Sequence, residues 1–320
     1  MAPGEVVQSV LEPAGPHAAA IRHLWLLMLW TSVAVFVAVL VLAGAALVFG
    51  IRARRHGGPP HGSEHLLGKA VGGAVVLTCI VLIGLLVASV WTGRHVASLR
   101  ADGAVTVSVT GHQWWWEVEY EDVRPSRRAL TANELHVPLH RSVVIKVTSR
   151  DVIHSLWIPN LQGKRDLIPG YTTAIWLQAD QPGRFRGQCA EFCGLQHAHM
   201  AFDVVAEPDA EFEGWLERLR QPAQPPAGEV AQHGLELFST RRCASCHTIR
   251  GTEAAGQVAP DLTHVASRLT LGSGTLPNTP SHRRAWIADP QKPKPGNQMP
   301  PNPLPEEEMS ALGAYLDTLR

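Results

Sequence analysis

The chain has 320 residues and a mass of 34.7 kDa, room for about two to three ordinary domains. Its 28 Lys and Arg balance 28 Asp and Glu, which argues against nucleic acid or any strongly charged partner as the principal ligand. Five cysteines are too few for a disulfide-stapled secreted fold, and the excess of apolar residues is concentrated before residue 93.

From Leu24 to Phe49 the sequence LWLLMLWTSVAVFVAVLVLAGAALVF carries no charge. As a helix it would reach roughly 39 Å at 1.5 Å per residue, enough to cross a bilayer with some tilt. A second uncharged run lies between Lys69 and Arg94. Buried helices of a soluble domain are seldom so long, and Trp25, Trp30 and Trp91 sit near the ends, where aromatic rings favour the membrane interface. The first run lacks a basic flank of the kind that precedes a cleaved signal peptide, so both runs are read as membrane spans. The connecting loop, 51–69, holds Arg52, Arg54, Arg55 and Lys69, whereas the tail, 1–23, has Arg22 as its one strong cation. The positive-inside rule therefore places the loop in the cytoplasm and both termini outside. Cys79, in mid-span, reads as a small packing residue.

Beyond Arg100 the apolar period becomes two. Val105, Val107 and Val109 alternate with Thr and Ser, and Val143, Ile145 and Val147 repeat the pattern. Further short strands are expected in HQWWWEVEY, HSLWIP, TTAIWLQA, GRFRGQC and HMAFDVVA, several of them separated by turn signals such as Pro169-Gly170 and Pro182-Gly183. This spacing predicts an antiparallel sandwich or barrel, closed by a helix over 208–220. The sequence QPAQPPAG, 221–228, then reads as a stiff, extended linker.

The segment CAEFCGLQHAHM contains Cys189, Cys193, His197 and Met200, and His154 stands upstream at the start of an expected strand. Two thiols and two imidazoles would satisfy zinc, but a thioether adds little to zinc and suits copper. A mononuclear blue-copper site needs one Cys, whereas this loop offers two, four residues apart. Two thiolates so placed can bridge two copper ions. A Cys189–Cys193 disulfide would explain neither the histidines nor the methionine. Dinuclear copper is favoured over both rivals, and His199 is left as a surface histidine.

GHQWWWEVEY, HSLWIP, KRDLIPG and CAEFCGLQHAHM resemble the signature segments of cytochrome c oxidase subunit II, over about residues 20–220. The resemblance implies a cupredoxin-like sandwich on the outer membrane face that holds the dinuclear CuA centre. It implies His154, Cys189, Cys193, His197, Met200 and the backbone carbonyl of Glu191 as copper ligands. The Glu191 side chain would face a magnesium ion shared with the catalytic subunit. In Trp114-Trp115-Trp116 the bland reading is core packing plus one exposed ring. By resemblance Trp114 matches the residue through which electrons enter CuA, and Trp115 replaces the family's usual Tyr.

Past the linker, Cys243-Ala-Ser-Cys246-His247 has the spacing of c-type haem attachment. A thioredoxin-like pair would need no following His and would sit in a βαβ unit. Two methionines compete for the second axial position. Met309 shares a helical stripe with Leu312 and Leu316 and reads as core, while Met299, in the Pro-rich stretch KPGNQMPP, is the expected ligand. His/Met ligation gives a raised potential suited to electron transfer. Residues 229–320 resemble a class I cytochrome c, which implies a hydrogen bond from His247 to the Pro260 carbonyl.

The expected architecture is therefore a two-helix transmembrane hairpin over 24–94, an all-β cupredoxin-like sandwich over 95–220, and an all-α class I cytochrome c domain over 229–320. The resemblance implies a terminal-oxidase subunit in a bacterial plasma membrane, with both redox domains on the outer face. Electrons would come from a cytochrome bc complex or another cytochrome c. They would pass through haem c and CuA to catalytic subunit I, alongside further oxidase subunits. Oxygen reduction and proton translocation would reside in those partners, since the spans hold no charge. A membrane-anchored copper or redox-sensing protein, a nitrous oxide reductase relative and a quinol oxidase subunit II are the weaker alternatives. The first has no need of Trp114, the second needs a propeller domain, and the third lacks the copper ligands.

Overall fold

The computed structural model describes residues 6–55, 64–98 and 104–320. Residues 56–63, the centre of the expected cytoplasmic loop, lie outside the described residues. The chain opens on a two-residue strand, β1 (Val6–Val7), followed by two long helices, α1 (Pro16–Arg55) and α2 (Glu64–Ser98). The helices form one compact unit, and the remainder, with the described N-terminal residues up to Ala18, forms another. Pro16 opens α1, where its missing N–H is no loss. None of the apolar stretch of either helix is buried within the protein. A soluble core helix would hide that surface, so these helices need an apolar solvent.

Ten strands follow in chain order: β2 (Val105–His112), β3 (Trp115–Tyr120), β4 (Ala129–Ala132), β5 (Glu134–Pro138), β6 (Val143–Ser149), β7 (His154–Trp157), β8 (Arg165–Leu167), β9 (Thr173–Leu177), β10 (Gly183–Cys189) and β11 (Ala201–Glu207). One sheet runs β4-β3-β2-β6-β9; the other runs β5-β11-β10-β7-β8, with β1 added beside β10. The expected alternation is present in β6, where Val143, Ile145, Val147 and Ser149 are buried in turn. Trp116, Tyr120, Phe185 and Phe212 fill the space between the sheets.

The sandwich is mixed, not antiparallel as the spacing suggested. The pairs β2–β6, β5–β11 and β1–β10 are parallel. Alternation reports which face is buried, and it is blind to the direction of the neighbouring strand. The described part of the N-terminal tail packs on the sandwich. Val6 and Val7 pair with Arg184 and Phe185. Asn160 accepts from the Ser9 N–H through Oδ1 (3.1 Å), and its Nδ2 donates to the Glu12 carbonyl (2.8 Å).

Helix α3 (Asp209–Arg220) closes the sandwich. It buries Phe212, Leu216 and Leu219, with acids in its first turn and arginines in its last, complementing its dipole. Each buried apolar side chain contributes about 1.5–3 kcal/mol. The Pro-rich stretch after α3 is irregular, and it is fastened: the Ala223 N–H donates to Arg250 O (2.8 Å), and the Arg250 guanidinium donates to Leu219 O (2.5 Å) and Arg220 O (3.1 Å).

The C-terminal domain has its own core, around Phe238, Ile249, Leu312 and Tyr315. Helices α4 (Glu229–Thr240), α5 (Pro280–Ala288) and α6 (Glu306–Thr318) surround it, with one small ladder of β12 (Thr270–Leu271) and β13 (Leu276–Pro277). Met309 is in this core, as its helical stripe implied. Gly234 lets α4 lie directly against Ala311 and Tyr315 of α6, a space that any side chain would fill.

Candidate metal centre and haem site

His154 is the first residue of β7, and Cys189 is the last of β10. Register brings them together, because Cys189 pairs with Leu156. The loop after β10 is pinned at both ends, where the Ala190 N–H donates to Ser155 O and the Cys189 N–H to Met200 O, each at 2.9 Å. A short 3₁₀ turn, His197–His199, then returns the chain toward the thiols.

The expected copper residues converge. Cys189 Sγ lies 3.7 Å from Cys193 Sγ, 3.8 Å from His154 Nδ1 and 3.2 Å from the Glu191 carbonyl. Cys193 Sγ lies 3.6 Å from His197 Nδ1 and 3.8 Å from Met200 Sδ. A disulfide would hold the sulfurs about 2.05 Å apart, so the cysteines are free thiols. Each thiol has its own histidine and its own weak donor, a carbonyl for Cys189 and a thioether for Cys193. That two-ended donor set fits a pair of thiolate-bridged copper ions better than one tetrahedral zinc. The hydrogen bond with Cys193 holds the Cys189 thiol far below the usual range, and the same contact pushes Cys193 up.

Asp151 supplies what sequence reasoning missed. Its Oδ1 accepts from His154 Nε2 at 2.8 Å, which leaves Nδ1 facing the thiols, and its Oδ2 accepts from the Gln113 N–H at 2.7 Å. A carboxylate behind a ligating imidazole fixes ring and tautomer. Its place three residues before His154 was a readable signal. Gly111 gives the ring room, since a Cβ there would come within 2.8 Å of it. The Glu191 carboxylate is half exposed and 3.3 Å from Lys164 Nζ. His199 hydrogen-bonds to Gln196 (2.8 Å).

The three tryptophans have separate surroundings. Trp116 is wholly buried, with its ring 5.3 Å from Phe202 and 6.2 Å from His154. Trp115 stacks on His112 at 4.2 Å. Trp114 lies before β3 rather than on it, and its Nε1 donates to the Cys193 carbonyl at 2.9 Å, where Gln113 Nε2 also donates (2.7 Å). Gly194, at φ +111°, keeps this backbone close: a Cβ would press within 3.1 Å of the Trp114 ring.

In the C-terminal domain a cavity of about 490 Å³ is lined by Cys243, Cys246, His247 and Met299. His247 Nδ1 is 2.7 Å from the Pro260 carbonyl, the bond the resemblance implied, so Nε2 is the nitrogen left for iron. Burial lowers the His247 pKa, which favours the neutral, ligating form. The Met299 loop is braced: its N–H donates to Asn297 Oδ1 (2.9 Å) and its carbonyl accepts from Gln291 Nε2 (2.8 Å). Two attachment thiols, a neutral imidazole and a thioether around one largely apolar cavity fit a covalent c-type haem. Gln113, Trp114 and Trp115 of the sandwich line the same cavity.

A long apolar helix pair, a cupredoxin-like sandwich and a cytochrome c-like domain define a membrane-anchored redox protein. A family model for the periplasmic domain of cytochrome c oxidase subunit II matches residues 123–207, and one for cytochrome c matches 231–320. Cytochrome c oxidase subunit 2 of Alkalihalophilus pseudofirmus is 34% identical over 99% of this chain and 92% of its own length. The subunit 2 of Bacillus sp. (strain PS3) is 32% identical over 81% of this chain and 78% of its own. The crystal structure of the periplasmic domain of subunit II (CoxB) of Bradyrhizobium japonicum is 32% identical over 38% of this chain and 95% of that one, at TM-score 0.35. The chain belongs to the cytochrome c oxidase subunit 2 family and is a component of a haem-copper oxidase.

Proposed function

We propose that electrons enter this chain at its own covalently bound haem c, pass to a dinuclear copper centre and leave for the catalytic subunit that reduces oxygen with proton translocation. The haem and copper groups supply the one-electron chemistry, and the protein supplies ligands, burial and distance. Cys243, Cys246, His247 and Met299 hold the haem. His154, Cys189, Cys193, His197, Met200 and the Glu191 carbonyl hold the copper. Trp114 is the residue through which electrons enter the copper centre. The Glu191 carboxylate takes part in a magnesium site shared with the catalytic subunit. The domains divide as 95–220 and 229–320, on the outer face of a bacterial plasma membrane, and the donor is a cytochrome bc complex or another cytochrome c.

The observation that carries this reading is the position of Trp114. It lines the haem cavity and hydrogen-bonds to the carbonyl of the copper-ligand residue Cys193. A storage site for copper would have no use for that bridge. The test is the electron paramagnetic resonance and visible spectra of the full chain loaded with copper and haem. Hyperfine structure from one electron shared by two equivalent coppers, beside a low-spin c-type haem, is expected. Hyperfine structure from a single copper, or no copper signal, would overturn it.

A further inference from the structure

Lys294 is a lysine in an unusual place. It is 2% exposed, although lysine is almost never fully buried unless paired. Its ammonium donates three hydrogen bonds: to the Trp114 carbonyl (2.9 Å), the His199 carbonyl (2.8 Å) and the Gly272 carbonyl (2.7 Å). All three acceptors are backbone carbonyls, so this is no salt bridge whose purpose is charge pairing. Two of the acceptors belong to the sandwich and one to the C-terminal domain. The ammonium is therefore a three-way joint between the domains, with its donors fully used.

The joint lies on a continuous chain of hydrogen bonds. Met299 N–H donates to Asn297 Oδ1 (2.9 Å), and Asn297 Nδ2 donates to the Lys294 carbonyl (2.7 Å). The Lys294 ammonium reaches the Trp114 carbonyl, and Trp114 Nε1 reaches the Cys193 carbonyl. Beside it, Gln196 Nε2 donates to the Pro295 carbonyl at 2.7 Å. The loop that carries Met299 is thus fastened to the backbone of the copper loop by the buried Lys294 ammonium, with Gln196 as a second tie beside it. The contact of the Arg250 guanidinium with the Leu219 and Arg220 carbonyls also joins the domains, and Arg250 is outside the lining of the cavity that Trp114 shares with Met299.

We propose that Lys294 is a positioning residue for internal electron transfer, holding the Met299 loop against Trp114 so that the haem and copper sites keep one fixed separation. The inference rests on the electron path proposed above and names the residue that sets its geometry. The probability of electron tunnelling falls exponentially with the separation of the two centres, so the joint that fixes this separation helps to set the rate. Removing the joint therefore acts on the rate of transfer and leaves both cofactor sites intact.

The test uses the full chain, loaded with copper and haem, in three forms: wild type, Lys294→Met and Arg250→Met. Flash reduction of the haem, followed by the haem and copper absorption bands, reads the internal rate. Lys294→Met is expected to slow transfer several-fold, with copper hyperfine structure and haem spectrum unchanged, while Arg250→Met keeps the wild-type rate. An unchanged rate in Lys294→Met, or equal slowing in Arg250→Met, would overturn the proposal. Should Lys294→Met not fold, amine acylation of the wild-type chain with mass mapping stands in. Protection of Lys294 beside labelling of the exposed Lys292 is expected, and equal labelling of both contradicts the joint. Absence of any haem-to-copper transfer in the wild type would instead sink the electron path itself.

Discussion

The two redox regions of this chain reach their ligand sets by opposite routes. In the sandwich the residues proposed to hold copper already lie together, at 3.2–3.8 Å, with Cys189, Cys193 and Met200 buried. They are held by β7, by β10 and by a loop pinned at both ends. In the C-terminal domain the residues proposed to hold haem stand around a cavity of about 490 Å³, which Val265, Leu271, Ile287 and Leu316 of the domain's core also line. The sandwich is a finished rack into which metal is placed. The cytochrome-like domain keeps a cavity where its cofactor would sit, and a group bound there would stabilise the folded domain.

The largest effect should follow from that contrast. Cys243→Ser combined with Cys246→Ser, which removes both haem thioethers, is expected to abolish cooperative melting of the C-terminal domain and to leave the melting of the sandwich in place. Calorimetry of the full chain would show one transition where the parent shows two. Loss of both transitions would mean that the domains fold as one.

A smaller effect belongs to the rack. Asp151→Asn weakens the brace behind His154 and is expected to lower copper affinity about 10–100-fold, measured by competition with a chelator. Cysteine accessibility in the metal-free chain should not change, because the loop is pinned by backbone bonds.

The smallest is a pH effect at the back of the sandwich. There His136 lies between Glu134 (2.9 Å) and Glu207 (2.8 Å) and stacks on Trp215 at 3.8 Å. Burial opposes protonation of His136, but the two carboxylates outweigh it and raise its pKa. Burial likewise works against the Glu134 carboxylate, and its hydrogen bond with His136 prevails and lowers its pKa, helped by the Leu269 N–H and nearby Arg268. The stability from His136 is complete below its unfolded value near 6.5 and is lost as pH rises through the raised folded value. That from Glu134 is present above its unfolded value and is lost as pH falls through the lowered one. The sandwich should therefore melt at lower temperature as pH climbs past the His136 transition, and His136→Gln should flatten that alkaline limb. An unchanged limb in the variant would place the titration elsewhere.

The same contrast explains what could be read from sequence. The haem motif and the copper loop are local in the chain, so spacing alone exposes Cys243, Cys246, His247, Cys189, Cys193, His197 and Met200. Met299 could be separated from Met309 because one sits in a Pro-rich loop and the other on a helical stripe. Strand alternation showed the inner face of β6 but not the parallel pairings. It also failed at β5, where Glu134 and His136 are buried along with their apolar neighbours. Their outer face is covered by Trp215 of α3 and by the Leu269 backbone, partners that no periodicity can announce. Lys294 was hidden for the same reason, since its three acceptors lie up to 180 residues away in sequence. Nor did the reading of 221–228 as a stiff, extended linker anticipate Arg250, which fastens the end of α3 to the C-terminal domain.

The central claim is that the haem of this chain feeds the copper of the same chain. Flash reduction of the haem in the fully loaded wild-type chain, repeated over a range of protein concentrations, tests it most directly. Haem reoxidation and copper reduction are expected to share one rate that does not change with concentration. A rate that grows in proportion to concentration, or copper that stays oxidised while the haem is reduced, would contradict the account.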